Sequence, residues 1–413
     1  MQQLYSFCIF IYGLFIRLSA LFHPKAAAWI NGRKHLFNEL EKACIGNDRW
    51  VWFHCASLGE FEQGRPVIEA FRAQHKEYKL LLTFFSPSGY EVRKNYESAD
   101  FVCYLPLDTP SNARHFLNIV RPELSVFVKY DFWLNFFMEM FKRKVPLHVI
   151  SASFRPHQHF FHWYGSWHRA VFKCCTRIFV QDELSAALLK SVRYNNVIVS
   201  GDTRFDRVYQ ISQTPEPDLL VEAFAKNARV LIAGSTWPKD EQIIINWFKE
   251  TDHNLKLLIA PHNVDKSHLD KLMNMLPEKS LMLSQSNQKT AENASILVID
   301  SIGKLSHLYS YGYIAYVGGG FGAGIHNILE PAAFGLPILF GPAFKKFREA
   351  YDLIERGGAF AFSDYTMFKE RMRFLLSDDL VSRMASEMSR FYVREKRGAL
   401  QNILTNIQPQ QNA

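Results

Sequence analysis

The sequence predicts two doubly wound α/β domains, and three observations carry that expectation. From residue 48 onward short apolar runs alternate with amphipathic stretches, the grammar of βαβ units and of parallel sheets with right-handed crossovers. The alternation is interrupted at TPEPD, 214–218, where two prolines among polar neighbours read as a linker, and it then restarts. At 413 residues, with 48% hydrophobic and 15% aromatic side chains, the chain can fill two cores.

Taken in order, the first half offers strands at 50–54 (WVWFH), 79–85 (KLLLTFF), 101–105 (FVCYL), 124–129 (ELSVFVK), 146–151 (PLHVIS), 177–181 (RIFVQ) and 196–200 (NVIVS). Helical patterns such as Ser111–Arg121 and Phe132–Lys144 lie between them. The second half offers 229–233 (RVLIA), 256–260 (KLLIA), 295–299 (SILVI), 313–317 (YIAYV), 337–340 (PILF) and 359–362 (AFAF). Two such domains facing each other across a cleft is the economical architecture. No repeat of solenoid period is present, and compositional bias is confined to the Gln/Asn-rich end, 406–413.

Ahead of these lies Leu4–Phe22, LYSFCIFIYGLFIRLSALF, which as a helix reaches roughly 28 Å, about the hydrocarbon thickness of a bilayer. Three readings stand: a marginal span with Arg17 snorkelling, a helix lying in the interface, or a helix buried in the protein. A cleaved signal peptide fits poorly, because MQQ carries no basic residue and no A-x-A-like site precedes Pro24. Lys25, Arg33 and Lys34 flank only the far end, which for a spanning helix leaves the rest of the chain in the cytoplasm. The 48 Lys+Arg against 40 Asp+Glu leave a formal +8, which suits an anionic membrane surface, an acidic substrate or nucleic acid and does not choose among them. The six cysteines form no C-x-x-C, and the adjacent pair Cys174-Cys175 reads as core filling, so a reducing compartment fits.

Two stretches carry chemistry. HCASLGEFEQGRP, 54–66, is the end of a strand, a turn and the start of a helix, with Glu60 at the junction. A glutamate there is favoured by the helix dipole alone, yet ligands of open α/β sheets also gather at the carboxyl ends of strands, where Gly59 allows close backbone approach. The other is YVGGGFGAGIHNILEPAAFGLPILFGP, 316–342, glycines after a strand followed by a helix bearing Asn327 and Glu330. It is neither a Walker loop nor a proper G-x-G-x-x-G turn, and it suits a nucleotide-sugar: backbone amides toward phosphate and the Glu330 carboxylate toward ribose hydroxyls. The bland alternative for Glu330 is a helix-start charge.

With these residues in view, the chain resembles the 3-deoxy-D-manno-oct-2-ulosonic acid (Kdo) transferases of lipopolysaccharide synthesis, which move Kdo from CMP-Kdo to a lipid A precursor and adopt the GT-B fold. The resemblance rests on HCASLGE, LTFFSPSG, YLPLD, the W-x-N of FWLN, VQDE, GDTRFD, LIAPH, IGKL, HNILEPAAFG and FGP, in that order up to about residue 360. It implies that Glu60 is the general base and that CMP contacts fall on Pro261 and His262, on Ile302, Gly303 and Lys304, and on Asn327, Ile328, Leu329 and Glu330. Departures are visible. Arg204 stands in GDTRFD where the family most often has Lys, Lys129-Tyr130-Asp131-Phe132-Trp133 replaces E-T-E-L-W so that Asp131 is a shortened second carboxylate, and Pro261-His262-Asn263 lacks the arginine of P-R-H.

The expectation is then a GT-B enzyme with a membrane-anchoring segment (1–32), an acceptor-binding domain (33–213), a linker (214–218) and a CMP-sugar-binding domain with a terminal helix (219–413). Glu60, Asp131 and Arg204 are its candidate catalytic residues. The partners implied are CMP-Kdo, a lipid A precursor (lipid IVA) and the cytoplasmic side of the inner membrane, with no nucleic acid and no obligate protein partner. Neither cofactor nor metal is expected: CMP is already a good leaving group, no D-x-D occurs, and His157, His159 and His162 lie among aromatics without a carboxylate. Inversion at the anomeric carbon is implied by the resemblance alone. A UDP-sugar-dependent GT-B transferase or epimerase, and a non-catalytic membrane-bound nucleotide-binding protein, are the alternatives.

Overall fold

A computed structural model describes residues 2–129, 131–250 and 254–407. The chain forms two compact units: one runs through Asp206 and is joined by the chain from Arg397 onward, and the other is Arg207–Lys396. The first holds strands β1 (Trp50–Cys55), β2 (Lys79–Phe84), β3 (Phe101–Tyr104), β4 (Leu124–Val128), β5 (Leu147–Ala152), β6 (Arg177–Val180) and β7 (Val197–Val199), in the order β3-β2-β1-β4-β5-β6-β7. The second holds β8 (Arg229–Thr236), β9 (Leu255–Pro261), β10 (Ser280–Met282), β11 (Ile296–Val298), β12 (Ile314–Val317), β13 (Ile338–Phe340) and β14 (Ala359–Ala361), in the order β10-β11-β9-β8-β12-β13-β14. Every strand pairing in the described residues is parallel.

Helices cover both faces of each sheet, so central strands such as WVWFHC are buried at every position and read as continuous apolar runs. The expected strands are all present, and β10 is an addition: three residues, two of them half-buried, carry too little apolar pattern to stand out. In each sheet the direction of winding reverses beside the first strand, between β1 and β4 and between β8 and β12. Those two reversals are where an open α/β sheet leaves a crevice at its carboxyl edge.

Two expected boundaries fall elsewhere. Residues 214–218 belong to the second domain, where the Glu216 amide donates to His307 Nδ1 (2.9 Å) and the Asp218 amide to the Tyr311 hydroxyl (3.0 Å). The terminal helix Ala399–Asn406 packs on the first domain, because Ile403, Leu404 and Ile407 join the cluster of Val51, Phe53 and Phe61 while Asp206 accepts from the amides of Gly398 and Leu400. The N-terminal helix Gln2–Ser19 is also part of this domain along one face: the Tyr5 hydroxyl donates to Asp108 (2.8 Å), Gln2 Nε2 donates to Asn135 (3.0 Å) and Gly13 is buried. Its other face, with Leu4, Phe7, Phe10, Leu14, Phe15 and Leu18, is exposed, which departs from the fully buried reading. Among the described residues no single helix is long and apolar enough to cross a membrane; Gln2–Ser19 and Pro24–Asn31 meet that requirement only together, bent by 119°.

Candidate functional site

At the first reversal, β1 ends at Cys55, Ser57 takes an extended conformation and the helix Leu58–Gln74 begins, which puts Glu60 in its first turn. The carboxylate reaches back to accept from the Ala56 amide at 2.6 Å, and the residue is only 9% exposed. Burial raises the Glu60 pKa to about 7; Asp131 adds to the rise, while the Ala56 and Ser57 amides and the Lys129 charge oppose it. Both sequence readings of this residue therefore describe one geometry, a helix-start contact and a desolvated carboxylate at a sheet edge.

Asp131 follows β4, the strand beside β1, so the pairing of these strands brings the two carboxylates to one edge. Its Oδ2 lies 3.5 Å from His54 Nε2 and has no hydrogen-bond partner among the described residues. His54 is fully buried at the end of β1, with Nδ1 2.8 Å from Thr83 Oγ1. The Trp133 indole donates to His54 Nε2 (3.3 Å) and the Trp52 indole donates to Thr83 Oγ1 (2.8 Å). With Nε2 accepting, the imidazole proton sits on Nδ1 and points at Thr83. Lys129, at the end of β4, takes a left-handed backbone (φ 66°) while its amide donates to Ile150. Arg204, in the same domain, is held by Asp202: its Nε donates to Oδ2 at 2.8 Å and its amide to Oδ1 at 2.9 Å.

At the second reversal, Asp240 occupies the equivalent place, in the first turn of the helix Pro238–Glu250 after β8. It is 1% exposed; its Oδ2 accepts from the amides of Trp237 and Gly319 (both 2.9 Å) and its Oδ1 from the Tyr316 hydroxyl (2.6 Å). The Gly-rich loop after β12 is thereby tied to the helix start. Its glycines are required by packing: a Cβ on Gly318 would lie 2.3 Å from Ser235 O, one on Gly320 2.5 Å from Gly341 N, and Gly319 has φ +91°. The expected cradle of amides is correspondingly reduced, since Gly318 donates to Gly234, Gly319 to Asp240, and Gly322 and Gly324 to Gly319.

The expected donor residues lie on this domain, after three strands. Pro261 ends β9 and is buried, and the exposed His262 ring stacks between Trp237 and His326, 4.6 Å from each. The Trp237 indole donates to His326 Nε2 (3.0 Å), and burial, with His262 nearby, lowers the His326 pKa. After β11, Ile302 is 84% exposed, Gly303 has φ +96° and Lys304 donates to Asp218 at 2.8 Å. After β12, Asn327 is exposed and donates to Glu330 Oε1 (3.0 Å), which is half-buried. Ile328 and Leu329 are buried apolar side chains that can offer a ligand only their backbone. His54, Lys129, Trp237, Asp240 and His326 were not singled out as site residues. Asp240 carries the same signal as Glu60, an acid in the first helical turn after a strand, whereas the ring stack joins loops far apart in sequence. Among the described residues no group of three or more His, Cys, Asp or Glu side chains is placed to hold a metal ion.

Residues 30–207 match the family described as 3-deoxy-D-manno-octulosonic-acid transferase (kdotransferase). The 3-deoxy-D-manno-octulosonic acid transferase of Haemophilus influenzae is 26% identical over 87% of this chain and 86% of its own. The chain is similar to the Kdo transferases. Its counterpart from Aquifex aeolicus is 28% identical over 75% of this chain and 80% of the relative. Among solved structures, the UDP-GlcNAc 2-epimerase from Neisseria meningitidis bound to UDP-GlcNAc is similar at a TM-score of 0.58 and 16% identity, covering 86% of this chain and 98% of that one. At that identity the likeness speaks for the fold, two Rossmann-like domains of GT-B type, and for nothing about the ligand.

Proposed function

We propose that the protein transfers Kdo from CMP-Kdo to a lipid A precursor, lipid IVA, with Glu60 as general base. The observation that carries this reading is the desolvated Glu60 carboxylate, with a pKa raised to about 7, at the sheet reversal of a domain related to the Kdo transferases. In the step proposed, Glu60 removes the proton of an acceptor hydroxyl whose oxygen bonds to the anomeric carbon of Kdo. The bond from that carbon to the CMP phosphate oxygen breaks, and CMP leaves with the electron pair. Asp131 keeps Glu60 basic by its negative charge, and the fixed ring of His54 lines the same edge.

Donor contacts are assigned to Pro261, His262, Ile302–Lys304 and Asn327–Glu330, with Glu330 accepting from the ribose hydroxyls. Arg204 is assigned to the developing phosphate charge, for which it must exchange one acceptor, Asp202, for another. Inversion at the anomeric carbon and work without a metal are part of the proposal. So is a location on the cytoplasmic side of the inner membrane, which the exposed apolar face of Gln2–Ser19 supports.

The deciding experiment incubates the purified protein with lipid IVA and either CMP-Kdo or UDP-GlcNAc and weighs the lipid product by mass spectrometry. Addition of one or more Kdo units from CMP-Kdo alone is expected. Turnover of UDP-GlcNAc without Kdo addition would replace the reading with that of a UDP-sugar enzyme.

A further inference from the structure

The loop between β5 and the helix Ala170–Cys174 lies at the carboxyl edge of the first sheet. It reads SFRPHQHFFHWYGSWHR, 153–169. Beneath it Phe154 and Phe160 are buried against Phe132 and Phe172, with ring centroids between 5.3 and 6.1 Å apart for the Phe132 contacts. Arg169 fastens it from below, donating to the carbonyls of Phe160 and His162 at 2.7 Å each, and His159 and His168 meet nitrogen to nitrogen at 2.6 Å. On this support Trp163 stands 87% exposed, with Tyr164 52% exposed beside it and Arg155, His157 and His159 also facing solvent.

An indole held in water by an ordered loop has a cost that burial in a partner recovers. The charge around it selects the partner. Within the loop itself there is no carboxylate, while Arg155 is exposed on it and Arg169 lies beneath it. The neighbouring surface is apolar: the ring of His168 lies 6.3 Å from that of Tyr5, on the helix whose free face presents Leu4, Phe7, Phe10, Leu14, Phe15 and Leu18 around a single charge, Arg17. Tryptophan and tyrosine at the rim of an apolar face, on a loop that carries an arginine and no carboxylate of its own, are the composition that settles at the headgroup level of a bilayer.

We infer that the 153–169 loop is a second membrane contact, with Trp163 and Tyr164 entering the headgroup region of an anionic lipid surface while the Gln2–Ser19 helix lies on it. Because β5 is adjacent to β4 and β4 to β1, this contact brings the edge that carries Glu60 to the lipid surface. The inference rests on the reading that the acceptor is a lipid.

The test uses the full chain and vesicles of phosphatidylcholine alone or mixed with phosphatidylglycerol, followed by flotation, with Trp163→Asp, Trp163→Phe and Arg155→Gln beside the wild type. The expected result is preferential binding to the anionic vesicles, reduced about tenfold by Trp163→Asp and largely kept by Trp163→Phe. Arg155→Gln is expected to reduce binding about fivefold and only on the anionic vesicles. Melting temperatures and Kdo transfer to detergent-dispersed lipid IVA are expected to match the wild type. Wild-type partition by a folded Trp163→Asp protein overturns the inference, and so does equal binding to both vesicle types. Should Trp163→Asp unfold, unchanged partition by Arg155→Gln overturns it on its own. Absence of Kdo transfer in the wild type would overturn the proposed function and leave the partition result standing.

Discussion

Glu60 and Asp240 begin as the same feature and end as opposites. Each is an acid in the first turn of the helix that follows the first strand of its domain, and each lies at the reversal of a seven-stranded parallel sheet. Asp240 is held by three donors, two amides and a tyrosine hydroxyl, and it ties a helix start to the Gly-rich loop. Glu60 is buried with backbone amides at its foot and a second carboxylate, Asp131, near it, which leaves its proton affinity close to neutral. Fixed donors on both oxygens make the one carboxylate a staple, whereas the Ala56 amide contact and a second carboxylate nearby leave the other suited to take a proton.

Substitution separates the two. Glu60→Gln is nearly isosteric and removes the proposed base, so turnover with saturating CMP-Kdo and lipid acceptor is expected to fall by roughly 10²–10⁴-fold. Its thermal melt moves the other way. A carboxyl whose pKa rises on folding from 4.5 to about 7 contributes stability below 4.5 that is lost as pH passes 7, so at pH above 7 the Gln variant is expected to melt no lower than the wild type. Asp240→Asn, by contrast, turns an amide donor toward one of the donors the aspartate served. It is expected to destabilise the second domain by about 1–3 kcal/mol in a denaturant melt.

Smaller effects sharpen the comparison. If Glu330 accepts from the ribose hydroxyls as proposed, Glu330→Gln is expected to lower CMP affinity by about 1–3 kcal/mol in calorimetry. Asp131→Asn removes the negative charge that helps to keep Glu60 protonated, so the acid limb of the rate profile is expected to move to lower pH with little change at its plateau. An acid limb that stays in place would separate Asp131 from Glu60.

The strands, their alternation with helices and the place of Glu60 were legible because a buried parallel strand is an apolar run and an acid after such a run is a local signal. What escaped depends on register and on packing between distant segments. His54 meets Thr83 only because β1 and β2 pair in a register that sets those residues side by side, and Trp133 reaches the ring from the loop after β4. The glycines of 318–320 read as an anion cradle, and the structure commits two of those amides, of Gly318 and Gly319, to Gly234 and Asp240. Ile328 and Leu329 lie within the stretch expected to bind the donor and are buried, and the Trp237–His262–His326 stack is assembled from the ends of β8 and β9 and the loop after β12. The terminal helix crosses back to the first domain on contacts with Asp206, close to the end of that domain's main stretch.

The central claim is that a buried Glu60, ionising near neutrality, is the base. It is tested most directly by the pH dependence of kcat/KM for the wild type, with CMP-Kdo and detergent-dispersed lipid acceptor, run beside Asp131→Asn. Activity that falls with a single proton uptake as pH drops through about 7, with the midpoint lowered in Asp131→Asn, is the predicted result. A wild-type profile that stays flat down to the ordinary carboxylate range would contradict it.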